Sequence, residues 1–215
     1  MRTRIKMCGM TAADDIARAA ALGVDAVGLV FHPRSPRCLE LPRAANLLAA
    51  RPPFVTVVAL FMDAARDVVQ RAVDDLGVDC LQFHGAETPA FCASFGLPYI
   101  KALPMGGGGD CAGAAAEFAP SAGALLFDAH RPGESGGQGR TFDWNRLPDT
   151  AGAPLILAGG LTPANVGDAL RRVRPFAVDL CSGVECAAGV KDHDAMRRFV
   201  EAVRAADDAL ARRGD

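Results

Sequence analysis

Cys8 closes the run Ile5-Lys-Met-Cys8 and stands directly before a glycine. A thiol at a strand end, close to a helix start, is open to stabilisation as thiolate by backbone N–H groups and nearby cations, which would make it a base or a nucleophile. Asp128 closes the apolar run Leu125-Leu126-Phe127 and leads into the long loop from Ala129 to Asp143. Burial against such neighbours raises a carboxyl's pKa and suits it to work as an acid. Each residue also has an ordinary reading. A free cysteine is commonly a small buried hydrophobe, and a strand-end aspartate commonly caps a helix or anchors a loop. Taken together, a thiol and a carboxyl on opposite sides of one mouth can move protons in both directions, and that pairing suggests isomerisation.

Two glycine turns point to an anionic substrate. Leu155-Ile-Leu-Ala-Gly-Gly-Leu-Thr-Pro163 reads as a strand, a turn at Gly159 and Gly160, and a helix start. Val178-Asp-Leu-Cys-Ser-Gly-Val-Glu185 reads as a strand running into a turn at Ser182 and Gly183. Glycine lets backbone N–H groups approach phosphate oxygens, and in barrels the loops after the seventh and eighth strands commonly build such a site. Other polar groups expected at strand ends are Arg37, Gln82, His84 and the stretch from Asp179 to Glu185.

Several motifs fail. Glu134-Ser-Gly-Gly-Gln-Gly-Arg-Thr141 lacks the first glycine of a P-loop and has Arg140 in place of its lysine. Cys181, Cys186 and His193 have no second pair to complete a zinc-finger pattern, and HExxH does not occur. Lys6, Lys101 and Lys191 leave a lysine Schiff base as a minor alternative.

The elements that must position these residues follow from periodicity. Strand-like runs fall at Ile5 to Cys8, Ala26 to Phe31, Phe54 to Phe61, Cys80 to Phe83, Tyr99 to Leu103, Ala124 to Asp128, Leu155 to Ala158 and Ala177 to Leu180. Helical spacing follows at Ala12 to Leu22, Leu41 to Ala50, Ala64 to Leu76, Pro89 to Phe95, Ala112 to Phe118, Ala164 to Val173 and Asp192 to Arg212. This alternation is that of a parallel sheet. Eight units of about 27 residues fit a lean single (βα)8 TIM barrel, whose usual length is roughly 250 residues. A doubly wound open sheet is the other candidate fold, but the dinucleotide fingerprint is absent after the first strand. Strand alternation puts Lys6 with Cys8, Gln82 with His84, and Leu126 with Asp128 on one face, without saying which face is inward. Thr11 and Asp14 read as helix-start residues, Gly23 and Gly77 as helix-ending glycines. The glycine-rich segments Gly106 to Gly109 and Gly133 to Gly139 follow strands and read as candidate ligand-covering loops.

The 215 residues are half hydrophobic, enough for one core in one domain, 1–215, and they exclude global disorder. A net charge of -2 removes the strongest electrostatic reason to expect nucleic acid or an anionic membrane as partner, so a small molecule is the default ligand. Seven scattered cysteines do not form a disulfide framework, and no stretch reads as a signal peptide or a membrane span; the expected location is the cytoplasm.

Seven blocks in fixed order carry a resemblance: Ile5-Lys-Met-Cys-Gly-Met-Thr11, Ala26-Val-Gly-Leu-Val-Phe31 with Ser35-Pro-Arg37, Leu81-Gln-Phe-His-Gly85, Leu126-Phe-Asp128, Gly136-Gly-Gln-Gly-Arg-Thr-Phe-Asp-Trp144, Leu157-Ala-Gly-Gly-Leu161, and Asp179 to Glu185 followed by Gly189 and Lys191-Asp192. The sequence resembles the phosphoribosylanthranilate isomerases of tryptophan biosynthesis. The resemblance implies an Amadori rearrangement of a phosphoribosyl aromatic amine, with Cys8 as general base and Asp128 as general acid. It further implies Arg37 on the anthranilate carboxylate, His84 and Asp179 in the substrate site, and Gly159, Gly160, Ser182 and Gly183 at the phosphate. It calls for no metal, nicotinamide or flavin, and for a monomer or homodimer. Phe127-Asp-Ala-His130 departs from the usual residues around the acid, and Cys181 adds a second thiol near the mouth. The alternatives are another phosphosugar isomerase or epimerase barrel, or a non-catalytic phosphosugar-binding protein; a metal-dependent epimerase would want several rim histidines, for which His32 and His84 are the plausible residues.

Overall fold

A computed structural model describes the chain except for residues 1, 50, 108, 135, 138, 151 and 213–215. Eight parallel strands close into a barrel in chain order: β1 Arg4–Met7, β2 Ala26–Val30, β3 Thr56–Phe61, β4 Cys80–Phe83, β5 Tyr99–Pro104, β6 Ala124–Asp128, β7 Leu155–Leu157 and β8 Ala177–Leu180. Helices α1 Ala13–Ala21, α2 Leu41–Leu48, α3 Arg66–Leu76, α4 Pro89–Ala93, α5 Cys111–Phe118, α6 Val166–Val173 and α7 His193–Arg212 follow every strand but β6. The expected TIM barrel is therefore the fold. The last strand pairs with the first, and Lys6 stands opposite Asp179 in that register.

Strand alternation sorts the side chains into two cores. Val58, Ile100, Ala102, Leu126, Ile156 and Ala158 pack with one another as the barrel interior. The alternate residues, Met7, Leu29, Phe61, Phe83, Phe127 and Val178 among them, pack against helix residues such as Ile16, Val69, Leu170 and Phe199. Because Leu126 points inward, so does Asp128 two residues on. Cys8 joins Val30 and Leu60 in a smaller cluster that Cys181 covers in part.

Four expectations need correction. The third strand starts at Thr56 rather than Phe54, because Phe54 has a left-handed backbone (φ 66°) that cannot continue a ladder, and its side chain is fully exposed. Thr11 is not a helix cap: its hydroxyl donates to the Gly189 carbonyl, in the turn between Ala187 and Val190, and α1 starts without a side-chain cap. Helix α4 stops at Ala93, and α6 starts at Val166, after a turn in which the Asn165 side chain accepts from Thr162 N (2.8 Å) and donates to Gly160 O (2.9 Å). After β8, the chain makes a single 3₁₀ turn, Ser182–Val184, and then an unforeseen hairpin, β9 Glu185–Ala187 with β10 Val190–Lys191. The expected α2 end at Ala50 lies outside the described residues, as do Gly108, Ser135 and Gln138 of the two glycine-rich segments. Gly23 and Gly77 do end helices with positive φ, at 75° and 57°.

Candidate active site

The carboxyl ends of the strands open onto one pocket of about 700 Å³, open solvent at its mouth included. Cys8, Arg37, His84, Asp128, Gly159, Gly160, Asp179, Ser182 and Gly183 all line it, so residues spread over the whole chain meet around one space. That volume suits a small phosphorylated molecule.

Cys8 is buried at the end of β1. Its surroundings differ from those expected. The Cys8 N–H donates to Leu180 O, and the Gly9 and Met10 N–H groups both donate to Gly28 O, so these donors serve the barrel rather than the sulfur. Burial pushes the thiol above its ordinary value; Lys6 and Lys191 pull it down and Asp179 opposes them. The resting residue is a thiol whose ionised form is supported by two lysines. Gly28 is required beside it, since a Cβ there would stand 2.6 Å from the sulfur. Cys181 lines the same pocket, but burial pushes its thiol up to about 12.

Lys6 and Asp179 form a buried ion pair at 2.8 Å across the β1–β8 seam. Asp179 thus occupies the pocket wall as the partner of Lys6. Lys101 pairs with Glu87 and Lys191 with Glu185, each at 2.9 Å and also buried. Each amine is engaged by a carboxylate rather than free to attack a carbonyl, which removes the support for a lysine Schiff base at these positions.

Asp128 ends β6 beneath the second glycine-rich segment. A Cβ at Gly136 would meet Asp128 Oδ2 at 2.4 Å, so only glycine lets that loop lie directly on the carboxylate. Burial alone was expected to raise this acid, and it does push that way. His130, whose Nδ1 lies 3.3 Å from Oδ2, together with His84 and the Ala129 N–H, outweighs it and leaves Asp128 below the ordinary aspartate value. His84 stacks on His130 with ring centroids 5.4 Å apart, and burial with the neighbouring His130 lowers it to about 3, so its ring is neutral at neutral pH. Of the first glycine segment, the described Gly106, Gly107 and Gly109 do not line the pocket, and Gly106 N donates to His130 O at 2.9 Å.

Arg37, which position alone would leave as a surface residue, is buried. Glu185 holds its Nε at 2.9 Å and its Nη2 at 2.6 Å, while Nη1 lies against Gly137 at the pocket. Lys191 completes the cluster and also donates to Cys8 O at 2.6 Å. Burial opposes the Glu185 charge, but Arg37 and Lys191 more than compensate and lower it to about 2.

The two glycine turns lie side by side. Gly159 and Gly160 have φ of 83° and 62°, where other residues are strained. A Cβ at Gly183 would fall 1.9 Å from Leu161 O, so the turn after β8 packs directly on the turn after β7.

Sequence reasoning missed the Glu185 and Lys191 roles and missed His130. His130 continues the Leu126, Asp128 alternation, and that signal was available. It raises the number of buried histidines near the mouth to three, with His32 and His84.

A barrel with a thiol after β1, a carboxylate after β6, an arginine after β2 and paired glycine turns after β7 and β8 has close relatives. The family model described as N-(5'-phosphoribosyl)anthranilate (PRA) isomerase matches residues 5–202. The N-(5'-phosphoribosyl)anthranilate isomerase of Leptothrix cholodnii is 51% identical over 206 residues, covering 96% of this chain and 93% of its own. The crystal structure of the phosphoribosyl anthranilate isomerase from Thermus thermophilus superposes with a TM-score of 0.83 at 35% identity, over 94% of this chain and 99% of that one. Another solved phosphoribosyl anthranilate isomerase, in complex with reduced 1-(o-carboxyphenylamino)-1-deoxyribulose 5-phosphate, superposes with a TM-score of 0.80 at 31% identity, over 94% and 99%. With sequence and fold in agreement along nearly its whole length, the chain belongs to the N-(5'-phosphoribosyl)anthranilate isomerase family.

Proposed function

We propose that the protein converts N-(5-phosphoribosyl)anthranilate to 1-(2-carboxyphenylamino)-1-deoxyribulose 5-phosphate in tryptophan biosynthesis, an intramolecular aldose-to-ketose rearrangement carried out by one domain, 1–215. The observation that carries this reading is the placement of Cys8 and Asp128 at the ends of β1 and β6 around one pocket, with the glycine turns after β7 and β8 in its wall. Asp128, as carboxylic acid, protonates the ribose ring oxygen. The C1–O bond breaks as the anilino nitrogen lone pair forms an iminium. Cys8, as thiolate, removes the C2 proton that the cationic C=N bond has acidified, giving an enolamine, which tautomerises to the ketone. Each proton transfer typically contributes about 10²–10⁴-fold.

Arg37, fixed by Glu185, presents its Nη1 side to the anthranilate carboxylate, for which its planar donor fork is suited. Gly159, Gly160, Ser182 and Gly183 hold the phosphate through backbone donors. His84 and Asp179 shape the substrate site, Asp179 by fixing Lys6 beside the base. No cofactor enters the scheme. The described cysteines are all free, as suits a reducing cytoplasm, and no described helix is long and apolar enough to cross a membrane.

The test is turnover of N-(5-phosphoribosyl)anthranilate by the purified protein, followed as loss of substrate fluorescence. Turnover that disappears in Cys8→Ser and Asp128→Asn supports the assignment. A folded protein without turnover would favour another phosphosugar or a binding role.

A further inference from the structure

We propose that His84, Asp128 and His130 form a site for one divalent transition-metal ion of the zinc or cobalt type, and that this ion occupies the Asp128 carboxylate and reversibly stops turnover. The three residues are buried, and one ligand atom from each lies within 4.8 Å of the others. The His130 Nδ1 is buried without a hydrogen-bond partner, although it stands 3.3 Å from Asp128 Oδ2; its lone pair or proton is directed at the carboxylate without the alignment of a hydrogen bond.

That spacing is the one a metal requires. Two ligands held at about 2.1 Å from a tetrahedral ion stand about 3.4 Å apart. Asp128 and His130 already satisfy this distance, and the His84 ligand atom lies within 4.8 Å of both. Gln82 lies against the His84 ring at Nε2; with its amide turned so that Oε1, otherwise without a partner, accepts the Nε2–H, it leaves the other ring nitrogen free for the metal, the support that metal-bound imidazoles rely on. Two imidazoles with one carboxylate select zinc, cobalt, nickel or ferrous iron over the hard ions magnesium and calcium, which favour oxygen ligands.

Charge and room are also adequate. Lys6 and Lys101 are the lysines whose charges reach His84, and each is offset by its own carboxylate, Asp179 at 2.8 Å and Glu87 at 2.9 Å. A small side hollow, lined by Asp128, His130, Gly136 and Gly160, adjoins the main pocket and has room for about one water, the fourth ligand of a tetrahedral ion. An ion there holds Asp128 as a carboxylate and removes the proton donor, so metal binding and the isomerase chemistry exclude one another.

The experiment titrates chelator-treated protein with Co²⁺ and records the visible ligand-field spectrum, which needs no substrate and stands whether or not the isomerase reading does. One equivalent should bind, without the intense near-ultraviolet bands of thiolate coordination. His130→Gln should weaken binding at least tenfold, and Cys8→Ser should leave it unchanged. In the wild type, Zn²⁺ should inhibit turnover over its own binding range, with recovery on adding chelator. Absence of ligand-field bands, thiolate bands that vanish in Cys8→Ser or Cys181→Ser, or equal affinity in a natively folded His130→Gln would overturn the site. Should that variant not fold, electron paramagnetic resonance of Cu²⁺-loaded wild type decides, since coupling to two imidazole nitrogens is expected and its absence refutes the proposal.

Discussion

Arg37 and Glu185 meet edge to edge, Nε to Oε1 at 2.9 Å and Nη2 to Oε2 at 2.6 Å, although 148 residues separate them. Glu185 therefore aims the guanidinium without occupying all of it. Replacing it by Glu185→Gln should leave Arg37 charged but loosely held. The expected result is a rise in KM of about tenfold, or about 1.4 kcal/mol, with a smaller change in kcat. Steady-state kinetics check this, and an unchanged KM would separate the pair from substrate binding.

The same carboxylate sets an acid limit on stability. Its folded pKa, about 2, lies below the ordinary 4.5, so it contributes stability that is present above 4.5 and lost as pH falls through about 2. Denaturant titrations should show wild type losing stability across that window more steeply than Glu185→Gln. Parallel curves would mean that the cluster adds nothing to the acid response.

Cys8→Ser and Asp128→Asn should each lower kcat/KM by at least about 10²–10⁴-fold while the reduced product analogue still binds within a few-fold of wild type. Calorimetry with the analogue separates lost chemistry from lost binding. Near wild-type turnover in either variant would remove that residue from the mechanism.

Cys8 lies above the ordinary thiol value of 9.0 and Asp128 below the ordinary aspartate value of 3.8. The resting pair is thus thiol and carboxylate, one proton transfer away from the reactive thiolate and acid. Both forms carry the same net charge, so the reactive fraction does not change with pH between the two titrations. With chelator present, kcat/KM should be flat through neutral pH and fall by about tenfold per pH unit once Cys8 ionises above 9.0, since the acid form of the partner is then lost. A decline that already begins near neutrality would contradict this ordering.

Gly183→Ala places a Cβ 1.9 Å from Leu161 O, whereas Gly96→Ala meets nothing within 4 Å and suffers only from its φ of 73°. The first should cost about 2–4 kcal/mol and weaken phosphate binding; the second should cost about 1 kcal/mol and leave kinetics alone. Thermal melts and inhibition by inorganic phosphate distinguish them.

Much of the barrel was legible because each strand is an apolar run with a turn at its end, and the pocket residues fall at those ends. Asp128 and the glycine turns are readable in that way. Local rules failed where the partner is remote. Thr11 has cap chemistry, yet its hydroxyl is taken by a carbonyl 178 residues away. Cys8 has amide neighbours, but the barrel seam and Gly28 consume them. The β9–β10 hairpin, with strands of three and two residues, is too short for any periodic signal, and so the partners of Arg37 stayed hidden. The pKa of Asp128 reversed direction because His130 offsets the effect of burial.

The bond from Lys191 Nζ to Cys8 O spans 183 residues. Ribosomes add about 5–20 residues per second, so during synthesis Cys8 waits on the order of ten seconds or more before the chain that will pair with it exists. The nascent protein therefore carries an ordinary thiol, and its buried, lysine-flanked environment comes into being only once β8 has closed the barrel and the β9–β10 hairpin has brought Lys191 to it.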